Sequence, residues 1–120
     1  MDKKVINQED VLERVQDDWE LLLELLDIFL DDYEEKRTLL EQEIARGDFE
    51  QIRNIAHSLK GAAGNISAEA LHQVFWDMEQ AAVNQDMKQI RDLSGELDQR
   101  YPALQESIEQ IKQDYQKKQG

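Results

Sequence analysis

Cysteine is absent from this chain, so disulfides and thiolate metal ligands are both excluded. Only one proline and five glycines interrupt the 120 residues, which favours long unbroken helices over a sheet with frequent turns. Positive charge is scarce: 14 Lys and Arg face 27 Asp and Glu, for a formal net charge of −13. Repulsion on that scale argues against nucleic acid or an anionic membrane as a partner of the bulk surface. Any basic site must therefore be local. No apolar run approaches the roughly 20 residues that span a bilayer. Met1 to Glu9 is polar and mixed in charge, unlike a secretory signal. The expectation is a cytoplasmic monomer.

What the chain does contain is helical periodicity. Hydrophobic residues make up 40% of it, too many and too regularly spaced for a disordered segment. Asn7 can cap a short helix through Val15, with Val11, Leu12 and Val15 on its apolar side. Asp17, with Glu20 three residues on, forms a capping box that opens the next helix. From Trp19 to Ala45 there is neither Gly nor Pro, and Trp19, Leu22, Leu26, Phe29, Tyr33, Leu40 and Ile44 recur at steps of three and four, broken near Lys36 and Arg37. Leu21, Leu25, Ile28, Leu30 and Leu39 widen the stripe, as for a helix buried against two or more neighbours.

Gly47 ends that helix, and Asp48 with Gln51 caps a third that is expected to stop near Ala63, where Gly64 and Asn65 tolerate a left-handed turn. Ser67 opens a fourth, with Leu71, Val74, Phe75, Met78 and Ala82 as its apolar face, ending near Asn84. Asp86 with Gln89 caps the last, which Pro102 should kink or split before a frayed tail at Gln116–Gly120. The prediction is all-α: an up-and-down antiparallel four-helix bundle with a short N-terminal lid helix. It forms one domain over residues 1–120, with a core at about 7–115.

The informative stretch is Ala56-His57-Ser58-Leu59-Lys60-Gly61-Ala62-Ala63-Gly64-Asn65. On an ideal helix Ile52, Ile55, Ala56, Leu59, Ala62 and Ala63 share one face, and His57 points away from it with Gly61 and Gly64 on its own side. Arg53 and Lys60 lie on that side too. Each exposed helical glycine costs about 0.5–1 kcal/mol relative to alanine, so two beside a solvated histidine ask for a reason.

Metal chemistry does not supply one. A di-iron bundle needs two Glu-x-x-His pairs, and there is only Glu69 to His72. No His-Glu-x-x-His zinc motif is present. Hydrolysis fares no better: adjacent His57 and Ser58 point about 100° apart and cannot form a nucleophile–base pair, and no Gly-x-Ser-x-Gly elbow exists. His72 lacks both the glycine surroundings and the following lysine, and reads as a surface histidine. Trp76 on its flank is either a boundary packing residue or part of a docking patch.

What remains is His57 as a nucleophile. A solvated imidazole titrates near pH 6.5, so at pH 7 it is largely neutral and can attack phosphorus. It needs a nearby cation, Lys60, and a flat approach, which Gly61 and Gly64 provide.

These residues closely resemble the phosphoacceptor motif of histidine-containing phosphotransfer (HPt) domains, the phosphoryl carriers of two-component phosphorelays. The Gly47-Asp48 junction, Ala68-Glu69-Ala70-Leu71 and Met78-Glu79 also fit, so the likeness covers roughly Asn7 to Ile111. The resemblance implies that His57 is phosphorylated, that Lys60 stabilises the phosphoryl oxygens and that Gly61 admits a receiver domain's loops. Gly64, Asn65 and Arg53 would share the docking surface. It implies response-regulator receiver domains and a hybrid sensor histidine kinase as partners, and no autonomous kinase activity. No cofactor would reside on this chain, since magnesium would belong to the receiver. Several family members orient the histidine with a glutamine from the following helix. The matching position here is Glu79, which either orients His57 or merely lines the flank. A binding-only helical module for a receiver or kinase is the alternative, which intact His57 and Lys60 argue against.

Overall fold

Short polar side chains decide where the helices begin. Asn7, Asp18, Asp48 and Asp86 each accept a hydrogen bond from the backbone N–H three residues on, satisfying donors that a helix start leaves open. In the computed structural model, which describes residues 3–119, they open α1 (Gln8–Arg14), α2 (Trp19–Arg46), α3 (Phe49–Asn65) and α5 (Met87–Gln119). The remaining helix, α4 (Glu69–Val83), has Ala68 at its cap and no side-chain cap bond. No strand forms among the described residues.

Three boundaries differ from the sequence expectation: the start of α2, the end of α3 and the start of α4, where Ala68 and not Ser67 takes the cap position. Asp17 does not cap α2: it and Gln16 are left-handed, at φ 62° and 55°, and its N–H returns to the Leu12 carbonyl to close α1. The cap falls to Asp18. Similarly, Gly64 and Asn65 stay helical, and the left-handed residue after α3 is Ser67, at φ 55°. Tertiary ties hold Ser67 there. Its hydroxyl donates to the Asp10 carboxylate and its carbonyl accepts from Asn7 N–H. The segment before α1 then serves the uncapped start of α4. Ala70 N–H donates to the Lys4 carbonyl, and the Glu69 carboxylate accepts from Lys4 N–H and the Asn7 side chain.

Packing follows the apolar faces. α3 lies against α2 and, most extensively, α4; α5 lies against α4 and α2; and α1 covers part of α2. Leu22, Leu26 and Leu40 of α2, Ile52 and Leu59 of α3, Phe75 and Met78 of α4, and Ile90, Leu97 and Leu104 of α5 are fully buried. Ala56 and Ala63 are also fully buried, and their small side chains let α4 come close to α3.

The break in the α2 stripe has a purpose. Arg37, 13% exposed, reaches α5 to donate to Ser94 and Asp98 while pairing with Glu41 on its own helix at 2.7 Å. Lys36 turns the other way, pairs with Asp32 and donates to Ser58 Oγ of α3 at 2.6 Å. The wide apolar stripe is only partly buried, contrary to expectation. Leu25 and Leu30 pack against the core, but Leu21, Ile28 and Leu39 are exposed because no helix covers that third side of α2.

Pro102 does not split α5, which is one helix from Met87 to Gln119. Tyr101 stacks on Tyr33 at 4.5 Å, and buried Leu104, Ile108 and Ile111 keep the stripe in phase beyond the proline. The expected fraying at 116–119 gives way to helix, as Tyr115 stacks on Trp19 and Lys118 sits over the same indole; Gly120 lies outside the described residues.

Removing the α2–α5 polar tie should be measurable. Arg37→Met is expected to lower stability in urea by roughly 1–2 kcal/mol, since it orphans several acceptors. Lys88→Met, which loses only an exposed pair with Asp92, should change it by less than about 0.5 kcal/mol.

Candidate functional site

The α3–α4 pairing puts one face of α3 in solvent and one acidic side chain of α4 beneath its edge. His57 stands on that face, its side chain 68% exposed. Glu79 approaches from α4 with its side chain only 11% exposed. Its Oε2 lies 2.9 Å from His57 Nδ1, and its Oε1 accepts from Lys60 Nζ at 2.7 Å. One carboxylate therefore holds both residues.

Protonation follows from this geometry. Burial pushes the Glu79 carboxyl up, but the hydrogen bonds from Lys60 and His57 and their charge outweigh it and leave it below the usual carboxylate range. An ionised carboxylate only accepts hydrogen bonds, so His57 Nδ1 is the donor and, in the neutral ring, Nε2 carries the lone pair. Nε2 is the nitrogen left for an incoming group.

Lys60 is not a free cation. Its side chain is 16% exposed, its Nζ is bonded to Glu79, and it sits 4.7 Å from the centre of the Trp76 ring. Sequence reasoning placed Lys60 beside His57 but missed this clamp. The signal was available: on an ideal helix Trp76 and Glu79 lie about 60° apart on one face of α4.

The glycines have different neighbours. A Cβ at Gly61 would meet nothing within 4 Å, so the folded chain does not require glycine there. One at Gly64 would make ordinary contact with the His72 ring, at 3.6 Å. Asn65 lines a shallow groove with Leu25, Ile28, Asp32 and Ala62, on the α2 side of the ridge. Arg53 is exposed on α3 and has no side-chain partner among the described residues. His72 lies apart from the His57 cluster, on a cleft shared with Lys3, Lys4 and Arg14. Its sequence neighbour Glu69 spends its carboxylate on the N-terminal segment. No group of three or more His, Asp or Glu side chains among the described residues could hold a metal ion.

The Hpt domain family model matches residues 24–114, about three quarters of the chain, and takes in α3 and α4 whole. The chain belongs to the Hpt family. No curated protein and no solved structure matched it. Hpt domains are phosphocarrier modules of two-component phosphorelays, not kinases, and they work with receiver and kinase components. No described helix of this Hpt chain is long and apolar enough to cross a membrane.

Substitutions at Gly61 test folding and access separately. Gly61→Ala should raise stability by about 0.5–1 kcal/mol in urea, and Gly61→Glu should keep the helix content by circular dichroism while strongly slowing phosphotransfer. Retained transfer in Gly61→Glu would show that the glycine does not serve access.

Glu79 also predicts a pH dependence. A carboxyl held below its unfolded value contributes stability that is present above that value, about 4.5, and lost as pH falls through the folded one. Wild type should therefore lose more stability than Glu79→Gln between about pH 5 and pH 3 in acid titrations followed by urea unfolding.

Proposed function

We propose that this Hpt chain is a phosphorelay intermediate in which His57 accepts a phosphoryl group from the aspartyl phosphate of one receiver domain and passes it to the aspartate of another. The observation that carries the reading is the exposed imidazole whose Nδ1 is held by ionised Glu79, which directs the Nε2 lone pair outward. On transfer the Nε2–P bond forms as the aspartyl O–P bond breaks, and that bond's electron pair returns to the receiver's carboxylate. Such transfer passes through a loose transition state with charge on the equatorial oxygens. Lys60 meets part of that charge. Magnesium on the receiver would neutralise the rest, so this chain would need no cofactor of its own and would have no kinase activity alone.

The receiver docks over the Gly61–Gly64 ridge, with Arg53 at one end and Asn65 beside the Leu25–Ile28 groove. A flat ridge flanked by exposed Ile28 on α2 and exposed Trp76 on α4 suits a protein surface better than a small substrate. The supporting architecture is a single domain over 1–120, with its core at about 7–115. In it α2, α3, α4 and α5 make an up-and-down antiparallel bundle and α1 is the lid. The protein works as a cytoplasmic monomer between a hybrid sensor histidine kinase and its receivers.

The test is incubation with a phosphorylated receiver, followed by acid and base treatment of the product. Wild type should gain label that acid removes and base does not, and His57→Gln should gain none. Equal labelling of His57→Gln would falsify the assignment.

A further inference from the structure

The mechanism above uses Glu79 before phosphorylation, but the same carboxylate faces the ring afterwards. Once Nε2 carries the phosphoryl group, the fate of the N–P bond depends on Nδ1. When that bond breaks, its electron pair stays on Nε2. A ring that kept its Nδ1 proton leaves as neutral imidazole. A ring that lost the proton must leave as imidazolate, a far poorer leaving group. Whatever holds the Nδ1 proton therefore sets how readily His57 gives up its phosphoryl group.

From the 2.9 Å contact between Glu79 Oε2 and His57 Nδ1 we propose that Glu79 is a positioning residue for the outgoing step: its negative charge keeps Nδ1 protonated in phosphorylated His57 and so holds the phosphoryl group in its labile, transfer-ready form at neutral and mildly alkaline pH. The inference rests on the reading of His57 as the acceptor.

The surroundings favour Glu79 over the other charges near the ring. On α3, Arg53 and Lys60 lie one turn to either side of His57, and both are cations that disfavour proton retention. On α2, Lys36 is bonded to Ser58 and paired with Asp32, which leaves that side close to neutral. α4 supplies Glu79, and beyond Gly64 its His72. Glu79 is the only anion bonded to the ring among the described residues. Its other oxygen is tied to Lys60, but an arriving phosphoryl group brings about two negative charges and competes for that ammonium. As Lys60 moves to the phosphoryl oxygens, the full charge of Glu79 is left on Nδ1–H. A neutral glutamine could still accept that hydrogen bond, but it would not hold the proton by charge.

Phosphoramidate, a small N-phosphoryl donor, can load His57 without a partner protein: the Nε2–P bond forms and ammonia leaves. Decay of the loaded protein to inorganic phosphate, followed by phosphorus NMR across pH, then reads the leaving step, in which water supplies the new P–O bond. Glu79→Gln should decay within about twofold of wild type near pH 5, where protons are plentiful, and roughly tenfold more slowly near pH 8.5, where only the Glu79 charge favours keeping the Nδ1 proton. Lys60→Met leaves the carboxylate on Nδ1. It also removes a cation that disfavours Nδ1 protonation, so decay near pH 8.5 should stay at least as fast, relative to that near pH 5, as in wild type. Parallel profiles for wild type and Glu79→Gln would overturn the proposal, as would a Lys60→Met profile shaped like that of Glu79→Gln. Failure of phosphoramidate to load wild-type His57 would overturn it too, because an attacking Nε2 is its premise. Transfer to a receiver plays no part in this measurement, so a failed relay and a failed proton-retention step give separate observations.

Discussion

Both oxygens of the Glu79 carboxylate are occupied, one by His57 Nδ1 and the other by Lys60 Nζ, and the site depends on that pair of hydrogen bonds. A carboxylate taken out of water is expensive unless it is paired and hydrogen-bonded. Here the pairing satisfies Glu79 and also fixes the chemistry of its partners. The imidazole is left with one tautomer and an outward Nε2. The ammonium is kept within reach of whatever binds there, with Trp76 closing off its other side.

Everything that sets the height of α4 against α3 therefore matters to the orientation of the His57 ring. Ala56 and Ala63 allow close approach, and Leu59, Phe75 and Met78 fill the space beside them. The turn between the two helices is locked by Ser67, whose side chain and carbonyl are tied to Asp10 and Asn7. α1 and the segment before it thus act at a distance as a brace on the α3–α4 pair. On the far side of α3, Lys36 ties Ser58 to α2, and Arg37 ties α2 to α5. The polar break in the α2 stripe is where the second and third contacts of the frame are made.

Much of this was readable from residue order. Asn7, Asp48 and Asp86 announce their helices because an N-cap interaction is local, and His57, Lys60, Gly61 and Gly64 declare a shared face because helix geometry is local as well. What could not be read was set by contacts between elements. Ser67 and Asp17 take left-handed backbones that a sequence reader assigns to glycine or asparagine, and in Ser67 the ties to Asp10 and Asn7 hold it there. Ile28 and Leu21 have the spacing of core residues but lie on the uncovered side of α2, and periodicity does not say which apolar face meets a neighbour inside the molecule. The position of Glu79, on one α4 face with Trp76, suggested a role, but its simultaneous grip on His57 and Lys60 also needs the observed approach of α4 to α3.

The most direct measurement is the ring-nitrogen NMR spectrum of His57 in 15N-histidine-labelled protein near neutral pH, before and after phosphorylation. The account predicts that the neutral ring carries its proton on Nδ1 and that the phosphoryl group appears on Nε2. A proton on Nε2 in the free protein, or phosphorus bonded to Nδ1, would contradict it.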